Sequence, residues 1–308
     1  PDTLRSMGNL AIAIRSQDRY AEADAIDRRT LEIKRRVLGE EHPGTLRSMN
    51  NLAVALGGQG RYAEAEKLHR RTLEIRRRVL GEEHPNTLSS MNNLAISLHD
   101  QGRYTKAEKL RRRTLEIRRR VLGEEHPSTL NSVIGWAETR FALGDPDEAE
   151  RMYREAIEIG RRTLRSDHPN IGSCLVGLGE VLIGKGDAAE AKQVVNEGLN
   201  LLRASLPEDH PDLAASQSVL GECLTALGKY AEAEPLLLES YERLNAVQGE
   251  SGHETRRALS RIIKLYEALH AAEPDKGYDK KAAEWRERLN QLKDEDAPAS
   301  IESKPSEN

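Results

Sequence analysis

Residues 43–81 read PGTLRSMNNLAVALGGQGRYAEAEKLHRRTLEIRRRVLG, and this stretch decides the fold. Pro43 suits the first turn of a helix, where its missing N–H would have had no partner. Leu46, Met49, Ala53 and Leu56 follow at spacings of three and four, one face of a 3.6-residue period. Gly57, Gly58 and Gly60 stop that helix. A second helix is expected from near Tyr62, with Ala65, Leu68, Thr72, Ile75 and Val79 on its apolar face and Gly81 as a left-handed cap. Glu66/Arg70 and Glu74/Arg78 stand as i, i+4 pairs between the apolar positions. No segment reads as a strand. Neither helix can bury its stripe alone, so the pair must stack on copies of itself.

The copies are present. Pro1, Pro43, Pro85, Pro127, Pro169 and Pro211 stand 42 residues apart, and His42, His84, His126, His168 and His210 precede five of them. His253 stands where a seventh Pro would fall. Tyr20, Tyr62, Tyr104 and Tyr230 share one register, as do Ala23, Ala65, Ala107, Ala149, Ala191 and Ala233. A period of this length fits HEAT and armadillo repeats as well as long tetratricopeptide repeats. The internal pattern Leu52-Ala53-x-x-Leu56-x-x-x-Gly60-x-Tyr62-x-x-Ala65 matches the tetratricopeptide template. The residues beyond the usual 34-residue unit follow Leu73 and lengthen the second helix by about two turns.

Asn-Asn-Leu-Ala, Gly-Arg-Tyr-x-Glu-Ala-Glu, Leu-Glu-Ile-Arg-Arg-Arg-Val-Leu-Gly and Glu-His-Pro resemble the repeats of kinesin light chains and of kinesin-light-chain-like arrays in bacterial and fungal multidomain proteins. The resemblance is strong over residues 1–250 and looser over 253–292, where an insertion falls around Ala272–Gly277. Repeats two and three are nearly identical, as in a recently expanded array. The resemblance implies an all-α right-handed solenoid of about seven helix-turn-helix units, near 1–41, 43–81, 85–123, 127–165, 169–206, 211–248 and 253–292. Residues 293–308 are polar and read as a disordered tail.

Composition agrees with long helices: 32% of residues are charged and 4% aromatic. No apolar run is long enough to span a membrane. The missing initiator Met reads as a fragment of a longer product. Cys174 and Cys223 cannot make a disulfide framework and are expected to be reduced thiols in a cytoplasmic protein. Net charge is −4, with 25 Lys/Arg against 18 Asp/Glu in residues 1–126, so the N-terminal part is basic and the remainder acidic.

No metal or cofactor is expected. The His-Pro histidines lie one per repeat, too far apart for one ion, and read as inter-repeat turns. Gly179–Lys185 has the spacing of a phosphate loop but lacks its Ser or Thr and a preceding strand. His253-Glu254 begins like a zinc-protease helix but lacks the second His. No nucleophile, base and orienting group can be assembled, so catalysis is not expected. The triplets Arg76–Arg78, Arg111–Arg113 and Arg118–Arg120 read as a solvated outer face, diluted by glutamates and without aromatics to stack bases.

The informative stripe is on the first helix. Arg5 and Arg47 share one register, and Asn9, Asn51 and Asn93 the next, flanked by Asn50 and Asn92. Asn has poor helix propensity, so its recurrence needs a reason. An amide can pair with the main chain of an extended peptide, or it can brace neighbouring repeats. One turn on, Ile12, Val54 and Ile96 give way to Glu138, Glu180 and Glu222, a ladder that reads either as part of a groove or as inter-repeat salt bridges. The resemblance implies that this helix lines a concave groove and that the groove takes a protein or peptide ligand, an acidic one by virtue of Arg5 and Arg47. The expected function is a non-catalytic interaction scaffold. The alternatives are a regulatory array contacting a kinase or NTPase domain of its own chain, and nucleic-acid binding by the basic half.

Overall fold

The structure, a computed structural model, describes residues 2–15, 19–250 and 252–295. Among these residues all regular structure is helical. The helices are α1 Asp2–Arg15, α2 Tyr20–Leu38, α3 Pro43–Gly58, α4 Tyr62–Leu80, α5 Pro85–Asp100, α6 Tyr104–Leu122, α7 Pro127–Ala142, α8 Pro146–Thr163, α9 Pro169–Lys185, α10 Ala188–Ser205, α11 Pro211–Ala226, α12 Tyr230–Gln248, α13 His253–Ala272 and α14 Tyr278–Glu295. They form hairpins in chain order. A 3-10 turn, Pro274–Lys276, occupies the predicted insertion. The last helix runs to Glu295, and the rest of the expected tail, residues 296–308, lies outside the described residues.

The Glu-His-Pro turns have a local cause. In each of five first helices Pro takes the opening position, and the preceding His caps the helix: Nδ1 of His42, His84, His126, His168 and His210 accepts the N–H two residues on, at 3.0–3.2 Å. Gly57 and Gly58 lie inside α3, and the chain turns at Gly60 (φ 76°). Gly81 ends α4 at φ 85° and ψ 165°. That is an extended mirror-image conformation rather than the expected left-handed cap, and it throws the chain outward to start the next hairpin.

Leu46, Met49, Ala53 and Leu56 are buried, as are Ala65, Thr72 and Ile75. Val79 is not. The buried face of α4 ends at Arg76, and Val79 and Leu80 in its last turn are exposed. Burial of Arg76, Arg111 and Arg118 corrects the solvated reading for one arginine of each triplet, while Arg77, Arg78, Arg112, Arg113 and Arg120 are exposed as expected. Arg76 donates to Ser90 Oγ (2.8 Å) and Asn86 O (3.0 Å) on the next hairpin, and Arg118 does the same to Ser132 Oγ and Ser128 O (both 2.8 Å). Lys34 and Ser48 form the same contact one repeat earlier, at 2.9 Å.

The N-terminal core falls into separate clusters around Met49 and around Met91, with the staples running beside them. At the next register the pair is Gly160 and Cys174, and there one apolar core runs unbroken from Leu115 to Cys223. Cys174 and Cys223 are buried free thiols, and burial pushes both up to about 12. Ser90→Ala and Ser132→Ala each remove a hydrogen bond to a buried charge and should cost about 1.5–3 kcal/mol, read as a shift of the urea midpoint. Ser89→Ala, on the exposed side of α5, should leave it in place.

On the outer surface the loops answer the second helices. Glu41–Arg78, Glu83–Arg120 and Glu125–Arg162 repeat at 2.5–2.9 Å, and Glu40–Arg71 and Glu82–Arg113 at 2.6 and 2.9 Å. Glu66–Arg70 forms as expected (2.5 Å), whereas Glu74 takes Arg71 instead of Arg78. Consecutive first helices pack directly (α5 with α7, α7 with α9, α9 with α11, α11 with α13), and the second helices stand farther apart. The stack therefore curves with its first helices inside.

Candidate functional site

The curvature closes a groove. Side chains of α5, α7, α9, α11 and α13 line one cavity of about 690 Å³, joined by Tyr104 and Arg111 of α6, Tyr153 of α8 and Leu202 of α10. A smaller space of about 300 Å³ lies between Val54 of α3, Asn93 and Ile96 of α5, and His253 and Glu254 of α13. Repeat seven thus faces repeats two and three across the groove.

The predicted residues divide into three groups. Asn93, Ile96, Glu138 and Glu180 line these cavities, and Val54 stands beside them. Asn50 does not offer its amide oxygen to the groove, because that oxygen accepts from Asn93 Nδ2 at 2.6 Å. The bracing role therefore holds for this pair. Asn51 and Asn92 are half-buried with no side-chain hydrogen bond among the described residues. Arg47 and Asn9 are exposed, and the side chain of Arg5 lies outside the described residues.

The third group is the carboxylate ladder, which is salt-bridged across repeats. Glu138 pairs with Arg111 at 2.9 Å. Glu180 receives both Arg257 and Arg261 from α13, two repeats away. Glu222 receives Arg261 at 2.8 Å and Lys264 at 2.6 Å. Burial alone would raise the Glu222 carboxyl, but Arg261 and Lys264 outweigh it and hold it below the ordinary carboxylate range. Glu254, pressed by burial in one direction and by Arg257 and His253 in the other, is likewise held low. α13 is thereby clasped to α9 and α11.

Two glycines explain why the Asn row stops. Gly135 and Gly177 occupy its next registers. A Cβ at Gly135 would meet the Arg111 guanidinium at 3.1 Å, and one at Gly177 would meet the Tyr153 ring at 2.6 Å. They are windows through which second-helix side chains reach the groove. Tyr153 is buried there, and burial followed by Glu138 and Glu180 keeps its hydroxyl protonated well above the usual range.

The Gly179–Lys185 segment is helical within α9, and Lys185 is held by Asp147 and Glu150 at 2.6 and 2.7 Å. His253 bonds Glu254 at 3.0 Å, and Glu254 turns to Arg257. Among the described residues no group of three His, Cys, Asp or Glu could hold a metal, and no helix is long and apolar enough to cross a membrane.

A tetratricopeptide repeat family model matches residues 2–77, 51–105, 88–159, 131–204 and 178–246. The crystal structure of the putative kinesin light chain nearly identical TPR-like repeats of Podospora anserina is 30% identical, over 68% of this chain and 98% of that one, with a TM-score of 0.52. The apo form of RapI is 15% identical over 94% of this chain and 99% of that one, with a TM-score of 0.64. A Rap protein complexed with competence and sporulation factor is 18% identical over 84% and 74%, with a TM-score of 0.59. No curated protein is significantly similar.

Proposed function

The chain belongs to the tetratricopeptide repeat family, with repeats of the kinesin-light-chain kind, and from that premise we propose that its concave groove binds an extended segment of a partner protein without catalysis. The observation that carries this is the cavity of about 690 Å³ walled by five consecutive first helices, a size usual for ligand clefts. A Rap protein of the same fold is complexed with a factor, which supports the reading by analogy of fold alone. In the smaller space, which shares Ile96, His253 and Glu254 with this cavity, Asn93 supplies an amide for the segment's main chain and Val54 and Ile96, each about two-fifths exposed, an aliphatic floor. Asn51 and Asn92 line neither space and would act only by extending that row. Asn50 is the brace that sets Asn93. On the outer face Arg71, Arg78, Arg113 and Arg120 meet loop glutamates, which removes support for nucleic-acid binding there.

The test is a peptide-library selection followed by titration of variants. Asn51→Ala with Asn93→Ala should weaken the selected peptide by roughly 1–3 kcal/mol, the worth of two hydrogen bonds. Asn50→Ala, which removes only the brace, should cost less. Arg77→Ala with Arg119→Ala should do little. The opposite pattern, with loss on the Arg changes and indifference to the Asn changes, would put binding on the convex face.

A further inference from the structure

We propose that the enclosed middle of the groove, between α5, α7, α9 and α13, selects a segment bearing Lys or Arg. This deepens the groove reading and rests on it. It also reverses the charge suggested by Arg5 and Arg47; Arg47 is not among the residues that line the enclosed part.

The first argument is electrostatic. Asp100, Glu138, Glu180, Asp212 and Glu254 line the cavity, against two guanidinium groups, Arg111 and Arg257. The cations are also worse placed to act on a ligand. Arg111 is 4% exposed and committed to Glu138, and Arg257, though 37% exposed, is committed to both Glu180 and Glu254. Glu138, in contrast, is 45% exposed, and half of its carboxylate remains after Arg111. An anionic segment would enter against five carboxylates, with both lining guanidinium groups already paired to Glu138, Glu180 and Glu254. A cationic segment meets charge of the opposite sign in a cleft that focuses it.

The second argument is the distribution of aromatic rings. The chain has one Phe and eight Tyr. That single Phe, Phe141, and the rings of Tyr104 and Tyr153 line this one cavity, beside His99 and His253. Aromatic faces next to carboxylates are the usual surroundings of a bound ammonium or guanidinium.

The experiment is a selection from a random hexapeptide library on the full chain, with sequencing of the retained pool and anisotropy titration of its commonest member. The pool should be enriched in Lys and Arg over Asp and Glu, and affinity should fall steeply with salt. Asp100→Asn with Glu138→Gln keeps shape and hydrogen bonding and should weaken the peptide about ten-fold or more, equal to 1.4 kcal/mol or above. Phe141→Leu should weaken it by less, and the arginine-to-alanine form of the peptide should lose the response to both variants. A retained pool rich in Asp and Glu would overturn the charge assignment while leaving the groove function standing. Retention of no peptide would overturn the groove function and this inference with it. Displacement by spermidine at the peptide's own concentration would overturn the assignment to a peptide.

Discussion

Glu180→Ala should release the C-terminal hairpin at a lower denaturant concentration than the rest of the solenoid. Glu180 holds Arg257 and Arg261, and Arg261 is almost wholly buried beneath it. Without Glu180 each arginine keeps one carboxylate, Arg261 that of Glu222 and Arg257 that of Glu254, so the loss should approach but not reach the about 3–5 kcal/mol of a buried charge left wholly unpaired. Repeat arrays couple only through neighbours, so this loss falls on α13 and α14 and not on the whole chain. The two tryptophans allow it to be seen. Trp285 lies in α14 against the ring of Tyr241 (centroids 5.2 Å apart), and Trp136 lies in α7, three hairpins earlier. With Trp136→Phe as one background and Trp285→Phe as the other, the Trp285 signal should move to lower urea in the variant and the Trp136 signal should not. Lys264→Ala removes an exposed partner of Glu222 and should stay within about 1 kcal/mol.

The same clasp should weaken in acid. Glu222 and Glu254 are held below the ordinary carboxylate range in the folded chain. Their stabilisation is complete above the unfolded value of about 4.3 and is lost as pH falls through their folded values. The Trp285 transition should therefore shift below about pH 4 before the Trp136 transition does. Coincident transitions in both the variant and acid would mean that the Arg–Glu clasp does not hold α13.

The elements most legible in the sequence are those with local causes. Proline at the first helical position, the preceding His and the turn glycines each act within two or three residues, so hairpin boundaries could be read from one repeat and checked on the next. Contacts between repeats were legible only where the reading was carried far enough. The register of Arg47, Ser89 and Asn131 continues through Ser173 and Ala215 to Arg257. The Asn register continues to Arg261, and that of Val54, Glu138, Glu180 and Glu222 to Lys264. The three cations of α13 that answer Glu180 and Glu222 thus stand on the same stripes, whereas Arg111, which answers Glu138, comes from the second helix α6 and has no place on them.

Other features had no signal of that kind. Arg76 and Arg118 look solvent-facing because charge is normally read as exposure. Only the serine fourteen residues on, at Ser90 and Ser132, marks them as inter-repeat staples. The groove itself depends on how far the superhelix turns. That is a sum of small rotations per repeat, and no single residue records it. Gly135 and Gly177 are visible in sequence as breaks in the Asn row. What they admit, Arg111 and Tyr153, comes from the other helix of the previous hairpin and becomes apparent only once the two are packed.

Gly198→Ala should destabilise the chain, although alanine is the better helix former. Gly198 is inside α10 and Gly172 inside α9, and the two helices cross at these residues. A Cβ on Gly198 would stand 2.7 Å from the carbonyl oxygen of Gly172, and one on Gly172 would stand 2.8 Å from that of Gly198. Both obstacles are backbone, so neither can rotate away. Leu175 and Val176 close the remaining sides at 3.0 and 3.1 Å. Helix propensity favours alanine by about 0.8–1 kcal/mol. Overpacking a tight contact costs about 1–3 kcal/mol, and more when the backbone must move. The second effect wins, and a net loss of about 2 kcal/mol should appear as a lower urea midpoint. Gly8→Ala is the matched control: it lies inside α1 with nothing within 4 Å of the added Cβ, so only the propensity gain remains. The consequence reaches the groove, because α9 carries Val176, Gly177 and Glu180 on the cavity wall. Pushing α9 off α10 should weaken a groove-bound peptide as well as the fold. If Gly198→Ala instead raises the midpoint as Gly8→Ala should, the helices have room to spare, and the close crossing is not what sets the position of that wall.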